Sequence, residues 1–129
     1  MQIGELADTT GLSLRTIRYY DDEGLLNPSA RSLGGFRLYS DDDLERLLVI
    51  RRMKPLGFSI DEMRDLLAAI HDLARPNLSQ DRRSELSGQL AAFTENARER
   101  RKKLRTQLAM AEEFVERLEQ LSVSPSPRL

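Results

Sequence analysis

The chain contains no cysteine, which excludes disulfides, thiolate metal sites and iron–sulfur ligation at the outset. It has a single histidine, His71. One imidazole cannot assemble a metal site, and a surface or helix-end position accounts for it. No hydrophobic run approaches a membrane span, and the N-terminal residues lack the apolar core of a signal peptide. The expected location is therefore the cytoplasm, with no membrane partner. Paired carboxylates in an apolar setting, a nucleophile with a histidine nearby and a phosphate-binding glycine loop are all missing. No catalytic residue, metal or cofactor is expected, and an enzyme is not the reading. An excess of positive charge is missing too. Residues 1–58 carry 8 Lys+Arg against 9 Asp+Glu and residues 59–129 carry 12 against 12, for a net charge of −1. A nucleic-acid partner would have to be held by where charges stand, through a few phosphate contacts with steep salt dependence.

What is present is a soluble, helix-rich composition, 40 % hydrophobic and 32 % charged. The stretch from Ser13 to Tyr39 organises it. Ser13 is an N-cap for a helix, and Gly24 is the left-handed residue that stops it. Arg15, Arg18, Tyr19 and Asp22 follow at helical spacing and form one exposed stripe, with Leu14 and Ile17 turned to the other side. Arginines interleaved with tyrosine suit a phosphate-lined groove, because a guanidinium forks onto guanine or phosphate. Tyr20 falls off the stripe and is expected to brace the core or the following loop. Gly34 and Gly35 then make a turn, and Phe36, Arg37, Leu38 and Tyr39 alternate as in a hairpin. On that alternation Arg37 and Tyr39 face outward while Phe36 and Leu38 pack inward.

Upstream, Ile3, Leu6 and Ala7 mark a short inward-facing helix over residues 3–10 that ends at Gly11. With the Ser13 helix it makes a helix-turn-helix, whose second helix enters a major groove. Downstream, Ser40 with Asp43 and Ser59 with Glu62 are capping-box starts. The first opens a helix carrying Leu44, Leu47, Leu48 and Ile50 to about Lys54. The second opens one carrying Ile60, Met63, Leu66, Leu67 and Ile70. Pro55 and Gly57 make the corner between them, where Lys54 is a candidate backbone contact and Phe58 a core residue. Pro76 and Asn77 mark the next break.

From about Ser79 to Leu121 there is no proline and a single glycine, and the apolar residues repeat in heptads. One seam reads Leu90, Ala97, Leu104, Ala111, Leu118. The other reads Leu86, Phe93, Arg100, Gln107, Phe114, Leu121. A helix of about 40 residues, roughly 60 Å long, cannot bury such a stripe within one small domain and needs a partner helix. Arg98, Arg100, Arg101, Lys102, Lys103 and Arg105 precede Glu112, Glu113, Glu116 and Glu119, so a parallel pair would set like charges together. Antiparallel pairing about Gln107 and Leu108 sets Arg101 near Glu116 and Arg98 near Glu119. The basic run also resembles a basic-zipper segment, but Leu104 and Leu108 put it in the seam, which favours a solvated coiled-coil face. The final SVSPSPRL is read as a disordered tail.

The blocks IGELADTTGLSLRTIRYYDDEGLL and GFRLYSDDDLERLLVIRRMKPLGFS, separated by a short Arg-containing loop, resemble the mercury-resistance regulator (MerR) family of bacterial transcription regulators over about residues 2–72. The resemblance implies a mainly α fold, a winged helix-turn-helix followed by a long antiparallel coiled-coil helix that makes a homodimer. It divides the chain into residues 1–75 for DNA binding, 76–121 for dimerisation and 122–129 as tail. It implies binding to pseudo-palindromic promoter DNA with an overlong spacer, switched by bending and untwisting that spacer, and leaves room for RNA polymerase as a further partner. The implied DNA-contacting residues are Arg15, Thr16, Arg18 and Tyr19 on the second helix, Arg31, Arg37 and Tyr39 in the first wing, and Lys54 in the second. The implied dimer seam is Leu86, Leu90, Phe93, Ala97, Leu104, Gln107, Leu108, Ala111, Phe114, Leu118 and Leu121. Metal- and redox-sensing members use cysteines and drug-sensing members carry a ligand domain after the coil. This sequence has no cysteine and eight residues after Leu121, so it looks like a short member without an effector domain. Two alternatives stay open: an architectural or excisionase-like DNA binder, and a coiled-coil adaptor whose winged helix binds protein.

Overall fold

Three serines set where three helices begin. The hydroxyl oxygens of Ser13, Ser40 and Ser59 accept from the backbone N–H groups of Thr16, Asp43 and Glu62, each at 3.1 Å. The carboxylates of Asp43 and Glu62 reach back to the N–H groups of Ser40 and Ser59 at 3.0 and 2.9 Å, so both capping boxes are complete. Gly11 ends the first helix at φ 74° and Gly57 ends the corner at φ 79°, a left-handed conformation that glycine adopts without strain.

The structure, a computed structural model, describes residues 1–27, 30–31 and 33–123, with the side chains of residues 30 and 31 outside the description. In chain order it contains α1 (Ile3–Thr10), α2 (Leu14–Asp22), β1 (Ala30–Arg31), β2 (Arg37–Leu38), α3 (Asp41–Met53), a 3-10 turn (Lys54–Leu56), α4 (Ile60–Leu73) and α5 (Gln80–Val123). The two strands pair antiparallel, Ala30 opposite Leu38 and Arg31 opposite Arg37. Helix-turn-helix, hairpin wing and long C-terminal helix all stand as the sequence predicts. The helix runs two residues past Leu121, while 124–129, the rest of the expected tail, lie outside the described residues.

The chain forms two units, Met1–Phe93 and Thr94–Leu129. The core of the first is Leu6, Ile17, Leu25, Leu47, Ile50, Met63 and Leu86, each essentially inaccessible to solvent. Tyr20 and Phe58 are buried with them, as expected. Leu86, assigned from the heptad pattern to a dimer seam, is spent on this core instead. The first turns of α5 close the small domain, whose short helices could not bury enough apolar surface alone. Two further expectations need correction. Leu14 is 41 % exposed, because it occupies the first position of α2 and has no preceding turn to pack against. Ile70 is also exposed while Ala69 is buried, which places the buried stripe of α4 one residue away from Ile70.

Arginines from α3 and α4 tie the helix-turn-helix to the rest of the unit. Arg51 donates to the carbonyl of Thr10 at 2.6 Å, Arg46 to that of Leu25 at 2.7 Å and Arg64 to that of Glu23 at 2.7 Å. Each satisfies a carbonyl at or just past the C-terminal end of α1 or α2, where the helix dipole also favours a cation. Asp43 does the converse. Its fully buried carboxylate accepts from Asn27 N–H at 2.8 Å as well as from Ser40, so it anchors the loop leaving α2 to the start of α3.

Candidate nucleic-acid interface

The face of α2 that Ile17 and Tyr20 leave free carries Arg15, Arg18 and Tyr19, all exposed. Neither arginine has an ion pair or hydrogen bond among the described residues. Thr16 sits in the first turn, where its hydroxyl accepts from Ser13 Oγ at 2.8 Å. The ring of Tyr19 leans on Tyr20 with centroids 5.7 Å apart, and the residue stays exposed. Lys54, at the start of the 3-10 turn, and Arg52, one residue from the end of α3, are likewise exposed and unpaired among the described residues. Their neighbour Arg51 is exposed as well but is occupied by the carbonyl of Thr10.

The wing differs from its expected register. Phe36 is 63 % exposed and Tyr39 only 4 %, the reverse of an inward Phe36 and an outward Tyr39. The reason is length. Two paired residues per strand cannot impose a period of two on residues beyond the ladder. Tyr39 is instead fixed by backbone pairing with Met1, N–H to carbonyl in both directions. Its hydroxyl donates to Asp21 Oδ2 at 2.8 Å. Burial, and then the hydrogen bond to Asp21, push the Tyr39 hydroxyl up to about 12. Arg37 also donates to Asp21 Oδ2, and that carboxylate raises its already high pKa. Arg31, the third residue assigned to the wing, has its side chain outside the description.

Between α2 and the wing lies an open cleft of about 340 Å³ lined by Arg18, Asp21, Asp22, Phe36, Arg37 and Tyr39, with Gln2, Ile3 and Gly35. Sequence reasoning placed Asp22 on the exposed stripe and passed over Asp21. The signal was available, since Asp21 lies four residues from Ile17 on the inward side, where a carboxylate needs partners. Among the described residues no group of three or more His, Cys, Asp or Glu side chains is placed to hold a metal, and no helix is long and apolar enough to cross a membrane.

Comparison with known proteins gives this arrangement its relatives. Residues 1–70 match the model of the MerR HTH family regulatory protein, and residues 44–109 that described as MerR, DNA binding. Heavy metal-dependent transcription regulator 2 of Rhizobium meliloti is 36 % identical over 103 residues, 76 % of this chain and 70 % of that protein. Among solved structures, the N-terminal part of the Bacillus subtilis multidrug transporter activator MtaN is 31 % identical with a TM-score of 0.53, covering 96 % of this chain and 99 % of that one. HiNmlR, a MerR family regulator lacking the sensor domain and bound to promoter DNA, superposes with a TM-score of 0.69 over 97 % of this chain and 94 % of that one. At 23 % identity HiNmlR shows the shared fold alone. Helix-turn-helix, wing, long C-terminal helix and sequence agree, and the chain belongs to the MerR family of helix-turn-helix transcription regulators.

Proposed function

We propose that α2 enters the major groove of promoter DNA and reads it with Arg15, Thr16, Arg18 and Tyr19, while Lys54 and the hairpin contact the flanking backbone. The observation that carries this reading is the pair of exposed arginines on α2 with no partner of their own. A guanidinium free of intramolecular acceptors can fork onto guanine or phosphate without first breaking a bond.

The reading extends to a homodimer. Leu104, Leu108, Phe114 and Leu118 are exposed in the single chain, and such a stripe on one helix is stabilised by a second copy. Leu90, Phe93, Ala97, Gln107, Ala111 and Leu121 complete the proposed seam, in the antiparallel sense that the charge pattern favours. A two-fold dimer calls for a pseudo-palindromic site, and switching by spacer distortion, a contact with RNA polymerase and a cytoplasmic location belong to the same proposal.

Duplexes selected in vitro by the full chain, and mixed-sequence duplexes of equal length, test it. Arg18→Ala should cost about 1–3 kcal/mol on the selected duplex and reduce its preference over mixed sequence. Lys54→Ala should weaken both alike and shallow the salt slope by about one. If Arg18→Ala weakened both duplexes equally, α2 would not be reading bases.

A further inference from the structure

Asp21 holds the wing by two donors at once. Its side chain is 6 % exposed although it sits on α2 one turn from the free Arg18. Both of its side-chain donors among the described residues come from the far side of the cleft. Arg37 and the Tyr39 hydroxyl converge on the same oxygen, Oδ2. Donors at positions i and i+2 of one short segment fix both its distance from α2 and its tilt, which a single contact would not. The hairpin needs such a fixture, because two paired residues per strand do not make a stable ladder.

The same contact decides what Arg37 can do. Its side chain is 45 % exposed at the rim of the cleft, where phosphate could reach it, yet its charge is matched by Asp21. Moving it onto phosphate would leave a nearly buried carboxylate with its counter-charge gone and the Tyr39 hydroxyl as its remaining side-chain donor among the described residues, which is unfavourable.

We propose that Asp21 is a positioning residue that sets the wing against the recognition helix and withholds Arg37 from sequence-independent phosphate pairing, so that it favours specificity over affinity. This inference rests on α2 and the wing facing DNA. It assigns the hairpin a geometric task, and it separates Arg37 from Lys54, which has no such counter-charge.

The test uses the full chain with Asp21→Asn, Arg37→Gln and the double variant, each titrated over a salt series on a mixed-sequence duplex and on a duplex selected by the native protein. Asp21→Asn should steepen the salt slope on mixed sequence by about one, as a freed Arg37 neutralises one phosphate. It should tighten that binding by about 3–10-fold at low salt and lower the preference for the selected duplex by a similar factor. Arg37→Gln alone should leave the native slope unchanged, and the double variant should return to it. Asp21→Glu, which keeps the charge, should restore part of the specificity. A steepening that survives in the double variant would mean that Asp21 acts only by its own repulsion of DNA. A slope that falls by one in Arg37→Gln alone would mean that Arg37 already neutralises phosphate. Either result overturns the proposal. Should Asp21→Asn fail to fold, judged by helical circular dichroism, Tyr39→Phe replaces it. That variant removes one donor and keeps the charge pair, so specificity should fall at constant slope, and unchanged specificity would overturn the proposal. Loss of selected-duplex preference in Arg18→Ala is the separate control: if it is absent, the groove-reading account fails rather than the role of Asp21.

Discussion

Tyr39 shows how one buried hydroxyl makes the first unit sensitive to alkali. Its pKa in the fold is about 12 against an ordinary 10.0. The folded state therefore holds the proton more tightly than the unfolded chain does. That preference contributes fully below pH 10 and is lost as pH rises from about 10 to about 12. Urea midpoints measured across this window should fall. Tyr39→Phe should remove part of the fall, and the remainder belongs in part to Tyr20, whose hydroxyl is also raised by burial and then by the neighbouring Tyr19. An equally steep decline in Tyr39→Phe would show that the Asp21 contact does not persist in solution. Asp43 is the second residue with a strong expected effect. It accepts from Asn27, from Ser40 N–H and from the Ser40 hydroxyl while fully buried. Asp43→Ala removes the carboxylate half of the capping box and leaves the partly buried N–H groups of Asn27 and Ser40 without their acceptor, for an expected loss of about 1–3 kcal/mol. Asp43→Asn, which keeps one acceptor, should lose less. The urea midpoint at unchanged m-value reads both.

Among the elements, the end of α2 matters most to the interface, because it sets where Asp21 and the following loop stand. The helix is closed by Gly24 at φ 78° with nothing within 4 Å of a would-be Cβ. Gly24→Ala should therefore cost about 1 kcal/mol through backbone strain alone, without a clash. Gly24→Asn should cost less, because asparagine tolerates the left-handed region. Equal losses for the two, by urea titration, would point to crowding instead of strain. The element pattern was largely legible in advance. Serine caps, glycine stops and proline breaks are local chemistry, and α2, α3, α4 and α5 begin just after Ser13, Ser40, Ser59 and Ser79. The wing was legible as a hairpin and misread in its facing, because its two-residue strands are oriented by Asp21 and Met1, not by their own alternation.

For the molecule as a whole, the expected antiparallel dimer yields a test that the absence of native cysteine makes unambiguous. Near a two-fold axis a residue meets its own copy, so Gln107→Cys or Leu108→Cys should form a disulfide-linked dimer readily. Ala97→Cys and Leu118→Cys should each fail alone and cross-link when the two proteins are mixed. Non-reducing electrophoresis reads all four. Efficient self-linking at both 97 and 118 would mean a parallel coil and would discard this register.

The sequence by itself determined the helix starts and stops, the helix-turn-helix, the long heptad helix and the family, because those depend on neighbours within a few residues or on whole motif blocks. It also placed Arg15 and Arg18 on the exposed side of α2, since Ile17 between them must be buried. Tertiary structure alone decided which arginines remain free. Arg46, Arg51 and Arg64 are occupied by carbonyls 21, 41 and 41 residues away, and Arg37 by a carboxylate 16 residues away. It likewise moved Leu86 from the heptad seam to the core and turned Tyr39 inward. A side chain's charge and shape are written locally, but the group that satisfies it is chosen by whatever the fold brings within about 3 Å.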